Sequence, residues 1–119
     1  MKSSEQWVER ILRVVDHIQA NLDAELRPEE LADIAGFSLH HFHRVFRGML
    51  DESVMGFIRR LRLQRAAHQL EFGQAGITEV AFGAGYRSHE AFTRAFTAAF
   101  GKSPSRYRDE AVRAMADVP

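Results

Sequence analysis

The sequence contains no cysteine, only two lysines and only three prolines among its 119 residues. The lack of cysteine excludes disulfides, thiolate zinc sites and cysteine nucleophiles, and it fits a reducing compartment. No segment approaches the roughly 18 consecutive apolar residues that cross a bilayer, and the N-terminus lacks the apolar core of a signal peptide. With the length of one average domain and a 45% hydrophobic content, we expect a globular, cytoplasmic protein with no membrane partner.

An excess of one charge is also absent, because the formal net charge is zero. A neutral total argues mildly against nucleic acid, whose protein ligands usually carry a basic excess. The distribution favours the opposite conclusion, since the first third is acidic while arginines crowd the middle and the end. The charge of a local surface, and not the total charge of the chain, determines which partner binds there. Arginine suits bidentate pairing to phosphate or guanine, although a GC-rich genome is a second explanation for its dominance.

Apolar residues recur at spacings of three and four, and no segment alternates as a strand does. Pro28 suits the first turn of a helix and Gly36 a left-handed helix end. Ser38, Thr78 and Ser88 are the expected N-caps of three further helices. The sequence therefore predicts an all-α fold of about seven helices. We expect them at residues 5–22, 28–35, 39–50, 54–70, 79–84, 89–100 and 104–115.

One phrase occurs twice: AGFSLHHFHRVF, residues 35–46, returns as AGYRSHEAFTRAF, residues 84–96. The copies align at an offset of 49 through the turn glycines and at 50 after one inserted residue, which pairs Phe42 with Phe92 and Arg44 with Arg94. Chance rarely keeps apolar spacing, turn glycine and cap serine together. Each copy predicts a helix, a turn and a capped helix, which is the pattern of a helix-turn-helix.

Two such units favour sequence-specific DNA binding more than one does, because a single unit is equally consistent with a plain helical hairpin that binds no DNA. DNA-binding proteins usually dimerise to place two recognition helices about 34 Å apart, and here one chain supplies both. The helix at 54–70 would be a rigid spacer about 25 Å long. The expected division is a first helix-turn-helix subdomain at 5–52, a linker helix at 53–71 and a second subdomain at 72–115.

Six motifs stand out in combination: LADIAGFS, FHRVF, IRRLRLQRAAHQL, VAFGAGY, SHEAFTRAF and GKSPSRYR. With the first helix they span nearly the whole chain, and together they resemble the DNA-binding domain of the AraC/XylS family of bacterial transcription regulators. The resemblance implies two homeodomain-like helix-turn-helix subdomains joined by one helix, each with its second helix in a major groove of double-stranded DNA. It also implies contacts with RNA polymerase, no cofactor, and an effector-binding domain where the parent chain is longer.

The outward faces of the two second helices hold the expected base contacts, which match the base-contacting positions of that family. We expect Met49 on the buried side of the first of these helices, at residues 39–50. The candidates are His40, His43, Arg44, His89, Glu90, Thr93 and Arg94. Arg44 and Arg94 suit guanine O6 and N7 or a phosphate, Glu90 suits cytosine N4 and Thr93 a thymine methyl. Alternatively, either arginine forms an ion pair with an acidic neighbour at the surface.

Phosphate contacts are expected from residues that flank these faces. They are Ser38, Arg47, Ser88, Arg106 and Arg108. Capping alone would explain the two serines. The linker arginines position phosphate or support the fold, and a solvated helix face, salt-bridged to the acidic first helix, is equally consistent with them.

Other classes of function have weaker support. His40, His41 and His43 invite a metal site, but zinc needs further ligands and His89 is expected about one DNA turn away. No nucleophile elbow, phosphate loop or paired carboxylates indicate an enzyme. The main alternative is a helical protein-interaction module with the same fold and weak DNA affinity, which the neutral charge and the acidic first helix allow.

Overall fold

The computed structural model describes residues 2–118, with side chains from residue 5 onward, and this part of the chain has seven helices and no strand. The predicted all-α fold is thereby confirmed. The helices are α1 (Lys2–Ala20), α2 (Pro28–Ala35), α3 (Leu39–Leu50), α4 (Val54–Phe72), α5 (Ile77–Gly83), α6 (His89–Phe100) and α7 (Pro104–Ala116).

Several helix ends differ from the predicted ones by one to three residues; α4, for example, ends at Phe72 and not at residue 70. Helix α1 ends at Ala20 instead of about residue 22: the Asn21 N–H donates to the Ile18 carbonyl in a tighter turn, and the Asn21 side chain satisfies the His17 carbonyl oxygen at 2.8 Å. Thr78 is not an N-cap. Helix α5 begins at Ile77, so the N-cap position is Gly76, which has no side chain to form a capping bond. Ile77, in the first turn, packs against the buried residues of the second unit.

The chain divides into two compact units, residues 1–61 and 62–119. The boundary falls within α4, whose residues contribute to a separate core in each unit. In the first unit the α4 contribution is Val54, Phe57 and Ile58. In the second unit it is Leu63, Ala66, Ala67 and Leu70. The division into 5–52, 53–71 and 72–115 stays a prediction.

In both units the turn between the first two helices of the repeat has the same hydrogen bonds. Gly36 has φ 73° and Gly85 has φ 91°, the left-handed region that glycine adopts without strain. The next residue in each copy donates its N–H back to an alanine carbonyl, Phe37 to Ala32 at 3.0 Å and Tyr86 to Ala81 at 3.1 Å. The duplication predicted from sequence is therefore also a duplication of backbone geometry.

An ion pair also occupies equivalent places in the two units, with its polarity reversed. In the first unit Arg60 Nη2 lies 2.6 Å from Glu52 Oε1, and this hydrogen bond raises the pKa of Arg60. At an offset of 50, Lys102 replaces the glutamate and Glu110 replaces the arginine, and these two are also paired. Hydrogen bonds from Lys102 and then Arg106 lower the pKa of the Glu110 carboxyl. Each unit therefore has an ion pair that joins the segment before a helix, α4 or α7, to the second turn of that helix.

Gly101→Ala is expected to lower the free energy of unfolding of the second unit by about 1–2 kcal/mol, because Gly101 has φ 79° and a side chain is strained there. A Cβ atom at Gly101 would meet nothing within 4 Å, so backbone strain is the only cause. Gly83→Ala is the matched control: its Cβ would also meet nothing, but it ends α5, and alanine there should stabilise by up to about 1 kcal/mol. Urea unfolding measures both. Two changes of the same sign would contradict this account.

Candidate nucleic-acid interface

Helix α3 presents a basic face to solvent while its apolar face fills the first core. Phe42, Val45 and Phe46 are buried. The side chains of His40, His43, Arg44 and Arg47 are all exposed. Neither of these arginines pairs with a carboxylate among the described residues. The α3 face therefore offers two uncompensated guanidinium groups, each with planar N–H donors suited to phosphate or a guanine edge.

Helix α6 holds the equivalent face of the second unit, with less positive charge. His89, Glu90 and Arg94 are exposed. Arg94 makes no ion pair within the described part of the chain, so the alternative of a surface pair has no support for Arg94 or for Arg44. The carboxylate of Glu90 accepts hydrogen bonds only, which suits a base amino group and repels phosphate.

The expected cap serines are N-caps. The Ser38 hydroxyl oxygen accepts from the His41 N–H at 3.2 Å, and the Ser88 oxygen accepts from the Ala91 N–H at 3.1 Å. Each hydroxyl keeps its own proton as a donor for a phosphate at the helix N-terminus. Their phosphate contacts stay a prediction.

Thr93 differs from the outward orientation expected of it. Its side chain is only partly exposed, and its Oγ1 atom is buried with no hydrogen-bond partner among the described residues. Thr97, one turn later, donates its own hydroxyl to the backbone carbonyl oxygen of Thr93 at 2.7 Å and not to Oγ1. With Oγ1 buried, the Thr93 hydroxyl is not available to a base in this conformation.

Thr93→Val is expected to raise the free energy of unfolding by about 1 kcal/mol, because it replaces a buried, unpaired hydroxyl with a methyl of the same shape. The change should leave affinity for a duplex unchanged, since the methyl group is retained. Thermal unfolding and duplex titration check the two parts, with Thr97→Val, whose hydroxyl is bonded, as the control. A tenfold loss of affinity in Thr93→Val would instead show that the hydroxyl rotates to contact DNA.

Two arginines predicted to contact phosphate have partners inside their own unit. Arg106 Nε donates to Glu110 at 2.9 Å, although its side chain remains 69% exposed. Arg108 Nε donates to the Leu70 carbonyl at 3.0 Å, one of the terminal acceptors of α4. Arg65 similarly donates to the Gly83 carbonyl at the end of α5. Arg108 and Arg65 therefore join helix ends, while phosphate contacts by Arg106 and Arg108 stay predictions.

The neighbouring histidines of α3 separate in space. His40 and His43 are exposed, whereas the His41 ring packs 5.1 Å from the Trp7 ring and 4.7 Å from the Phe37 ring, measured between centroids. Across residues 2–118, no three His, Asp or Glu side chains come together as metal ligands would. His41 therefore links α1 to α3.

The placement of Met49 on the buried side is wrong, because its side chain is 38% exposed. It lies at the last turn of α3, where it borders two clefts of about 370 and 350 Å³ beside α1. Sequence reasoning also passed over Arg87, which is exposed, precedes the cap Ser88 and makes no ion pair with another described residue. The signal was available, since Arg87 is the residue inserted in the second copy of the repeat.

Comparison with known proteins defines the class to which this fold and these faces belong. A family model described as a helix-turn-helix domain matches residues 31–110. The regulatory protein SoxS of Salmonella typhimurium is 31% identical over 98 residues, which are 82% of this chain and 92% of SoxS. The HTH-type transcriptional regulator YbfP of Bacillus subtilis is 32% identical over 98 residues, again 82% of this chain, but only 33% of YbfP.

A solved structure agrees with these matches. The DNA-binding domain of the transcriptional factor AdpA, determined in complex with a target DNA, superposes with a TM-score of 0.80 and 28% identity, over 88% of this chain and 95% of that domain. The chain belongs to the AraC-type helix-turn-helix family. The matched proteins are regulators and DNA-binding domains, in agreement with the prediction of a non-enzyme. Within residues 2–118, no helix has the length and apolar content that crossing a membrane requires.

Proposed function

We propose that this chain is the DNA-binding part of a bacterial transcription regulator and binds a specific duplex sequence with α3 and α6 in adjacent major grooves. The observation that carries the proposal is the pair Arg44 and Arg94, which hold equivalent places in the repeat and are both exposed and without an ion pair among the described residues. A buried aromatic pair, Phe42 and Phe46 or Phe92 and Phe96, anchors each of the two helices from behind.

The contacts divide into two classes. We assign base-edge contacts to the exposed residues in the first two turns of each second helix, which are His40, His43 and Arg44 in α3 and His89, Glu90 and Arg94 in α6. Thr93 adds a methyl contact. Ser38, Arg47, Ser88 and Arg106 are proposed phosphate contacts, which position the protein without reading sequence. Because Arg108 donates to a helix carbonyl, we assign it the weakest share of phosphate binding.

Several features of the whole protein follow as proposals. Segment 53–71 would set the spacing of the two bound half-sites, close to one helical turn of DNA. Regulation would proceed through contacts with RNA polymerase in the cytoplasm. The chain spans about a third of the length of the first relatives it matches, which supports an effector-binding domain elsewhere in a longer parent chain.

Selection of bound sequences from a random duplex pool, followed by titration at rising salt, tests the proposal. We expect an enriched site with two half-sites about 10 base pairs apart. Its affinity should fall steeply between about 50 and 200 mM salt as counterions are released. Failure to enrich any sequence, together with weak duplex binding at every salt concentration, would favour the protein-interaction module instead.

A further inference from the structure

The first unit has an apolar groove between α1 and α3 that its own core does not fill. Two clefts share Met49: one continues toward Trp7 and Arg44, and the other runs along Val8 and Leu12 of α1. The exposed fractions are 47% for Val8, 53% for Leu12 and 38% for Met49. These side chains form a surface, which we call the α1/α3 groove, where several large apolar groups face solvent together.

The pattern of α1 explains why the groove exists. Ile11, Val14 and Ile18 lie on one side of the helix and are buried in the first core. Val8 and Leu12 are one turn apart on a second, adjacent side, so the apolar part of α1 is wider than the core beneath it. Folding of this unit alone does not account for these two residues, because both remain about half exposed.

By helical spacing, the edge of α1 next to Val8 and Leu12 carries acidic residues. Glu5 and Glu9 are one helical turn apart, and Asp16 lies one turn beyond Leu12. All three are exposed and none makes an ion pair with a described residue, although Arg13 is at pairing distance in sequence from both Glu9 and Asp16. Like charges one turn apart destabilise a helix. A cationic partner along this edge would remove that repulsion.

We propose that the α1/α3 groove binds an amphipathic helix of a partner protein, with the apolar side of that helix against Leu12 and Met49 and a row of Lys or Arg residues beside Glu5, Glu9 and Asp16. Helix-in-groove binding uses apolar anchors spaced by three and four residues, and complementary charge at the rim fixes orientation. A small ligand fits the groove less well, because small-molecule pockets enclose most of their ligand and these walls are open. The proposal does not depend on DNA binding.

A synthetic helix with a leucine stripe and lysines along one edge is the probe, and the same peptide with glutamate in place of lysine is its control. Trp7 is the only tryptophan and lines the cleft that shares Met49, so its fluorescence reports occupancy. We expect the lysine peptide to bind the intact chain at least tenfold more tightly than the glutamate peptide. Leu12→Gln, which removes the apolar anchor without adding charge, should weaken binding of the lysine peptide at least tenfold, and Val112→Gln, at an exposed apolar residue of the second unit, should not.

Reversal of the charge along this edge distinguishes the proposed binding from nonspecific hydrophobic binding of the peptide. In the double variant Glu9→Lys with Asp16→Lys, the preference should invert in favour of the glutamate peptide. An unchanged preference, equal binding of both peptides, or no binding of either would overturn the proposal. So would concentration-dependent dimers of the chain that Leu12→Gln abolishes, because the occupant would then be a second copy. If Leu12→Gln unfolds the chain, Met49→Gln on the opposite wall provides the same test.

Discussion

Arg44→Ala is expected to weaken binding to the selected duplex by about 1–3 kcal/mol, or roughly 5- to 150-fold, and Arg94→Ala by a similar amount. Each guanidinium is exposed and has no competing carboxylate among the described residues. All of its donors are therefore available to guanine O6 and N7, and the alanine variant leaves those acceptors unpaired in a desolvated interface.

Titration of a labelled duplex with each variant measures the loss. Arg113→Ala is the matched control, because Arg113 is exposed near the end of α7 and belongs to neither second helix. Lysine variants separate the two kinds of contact: Arg44→Lys should keep the salt dependence of a phosphate contact but lose preference for guanine, since lysine has no planar fork. Parental affinity in both alanine variants would show that the base contacts lie elsewhere.

The helices were predictable because the fold repeats local signals that each act within a few residues. Pro28, Ser38 and Ser88 determine helix starts through their own backbone and side-chain geometry, and the structure has helices beginning beside each of them. The prediction of Thr78 as an N-cap was wrong because Ile77 packs against the second core, which favours a helix that begins one residue before Thr78. Such a tertiary contact is not visible in the local sequence.

For the candidate site, the exposed face of each second helix was predictable from helical periodicity, but the use of each side chain was not. Arg108 looks like any other basic residue of the C-terminal segment, yet it donates to a carbonyl 38 positions earlier. Met49 continues the apolar spacing of Val45, and its exposure depends on α1 leaving a groove beside it. Both outcomes depend on contacts between helices distant in sequence, which periodicity cannot specify.

The reversed ion pair is one place where the two units of the repeat differ in sequence and keep an equivalent contact. Glu52 and Arg60 in the first unit correspond to Lys102 and Glu110 in the second, and both pairs form. Opposite charges attract equally well with either sign at either place. Each pair sums to zero charge, so the reversal leaves the net charge of its unit unchanged, and at these partly exposed positions each pair contributes only modestly to stability.

Phe96→Ala is expected to cost the second unit about 3–5 kcal/mol of its free energy of unfolding. The Phe96 side chain is fully buried, and its ring packs 4.5 Å from that of Phe100, 5.4 Å from that of Tyr107 and 5.5 Å from that of Phe92, between centroids. A unit of about 60 residues has little stability in reserve. We therefore expect residues 62–119 to lose most of their cooperative unfolding, and α6 with it.

Phe82→Ala tests whether burial, and not the loss of any aromatic ring, causes this effect. Phe82 belongs to the same unit but is 56% exposed, so its removal should change the free energy of unfolding by no more than about 0.5 kcal/mol. Urea unfolding followed by circular dichroism compares the two variants with the parent. Because α6 carries Arg94, Phe96→Ala should also lose specific duplex binding without any change to the α6 face, whereas Phe82→Ala should keep it. Equal unfolding midpoints for the two variants would mean that the packing around Phe96 does not stabilise this unit.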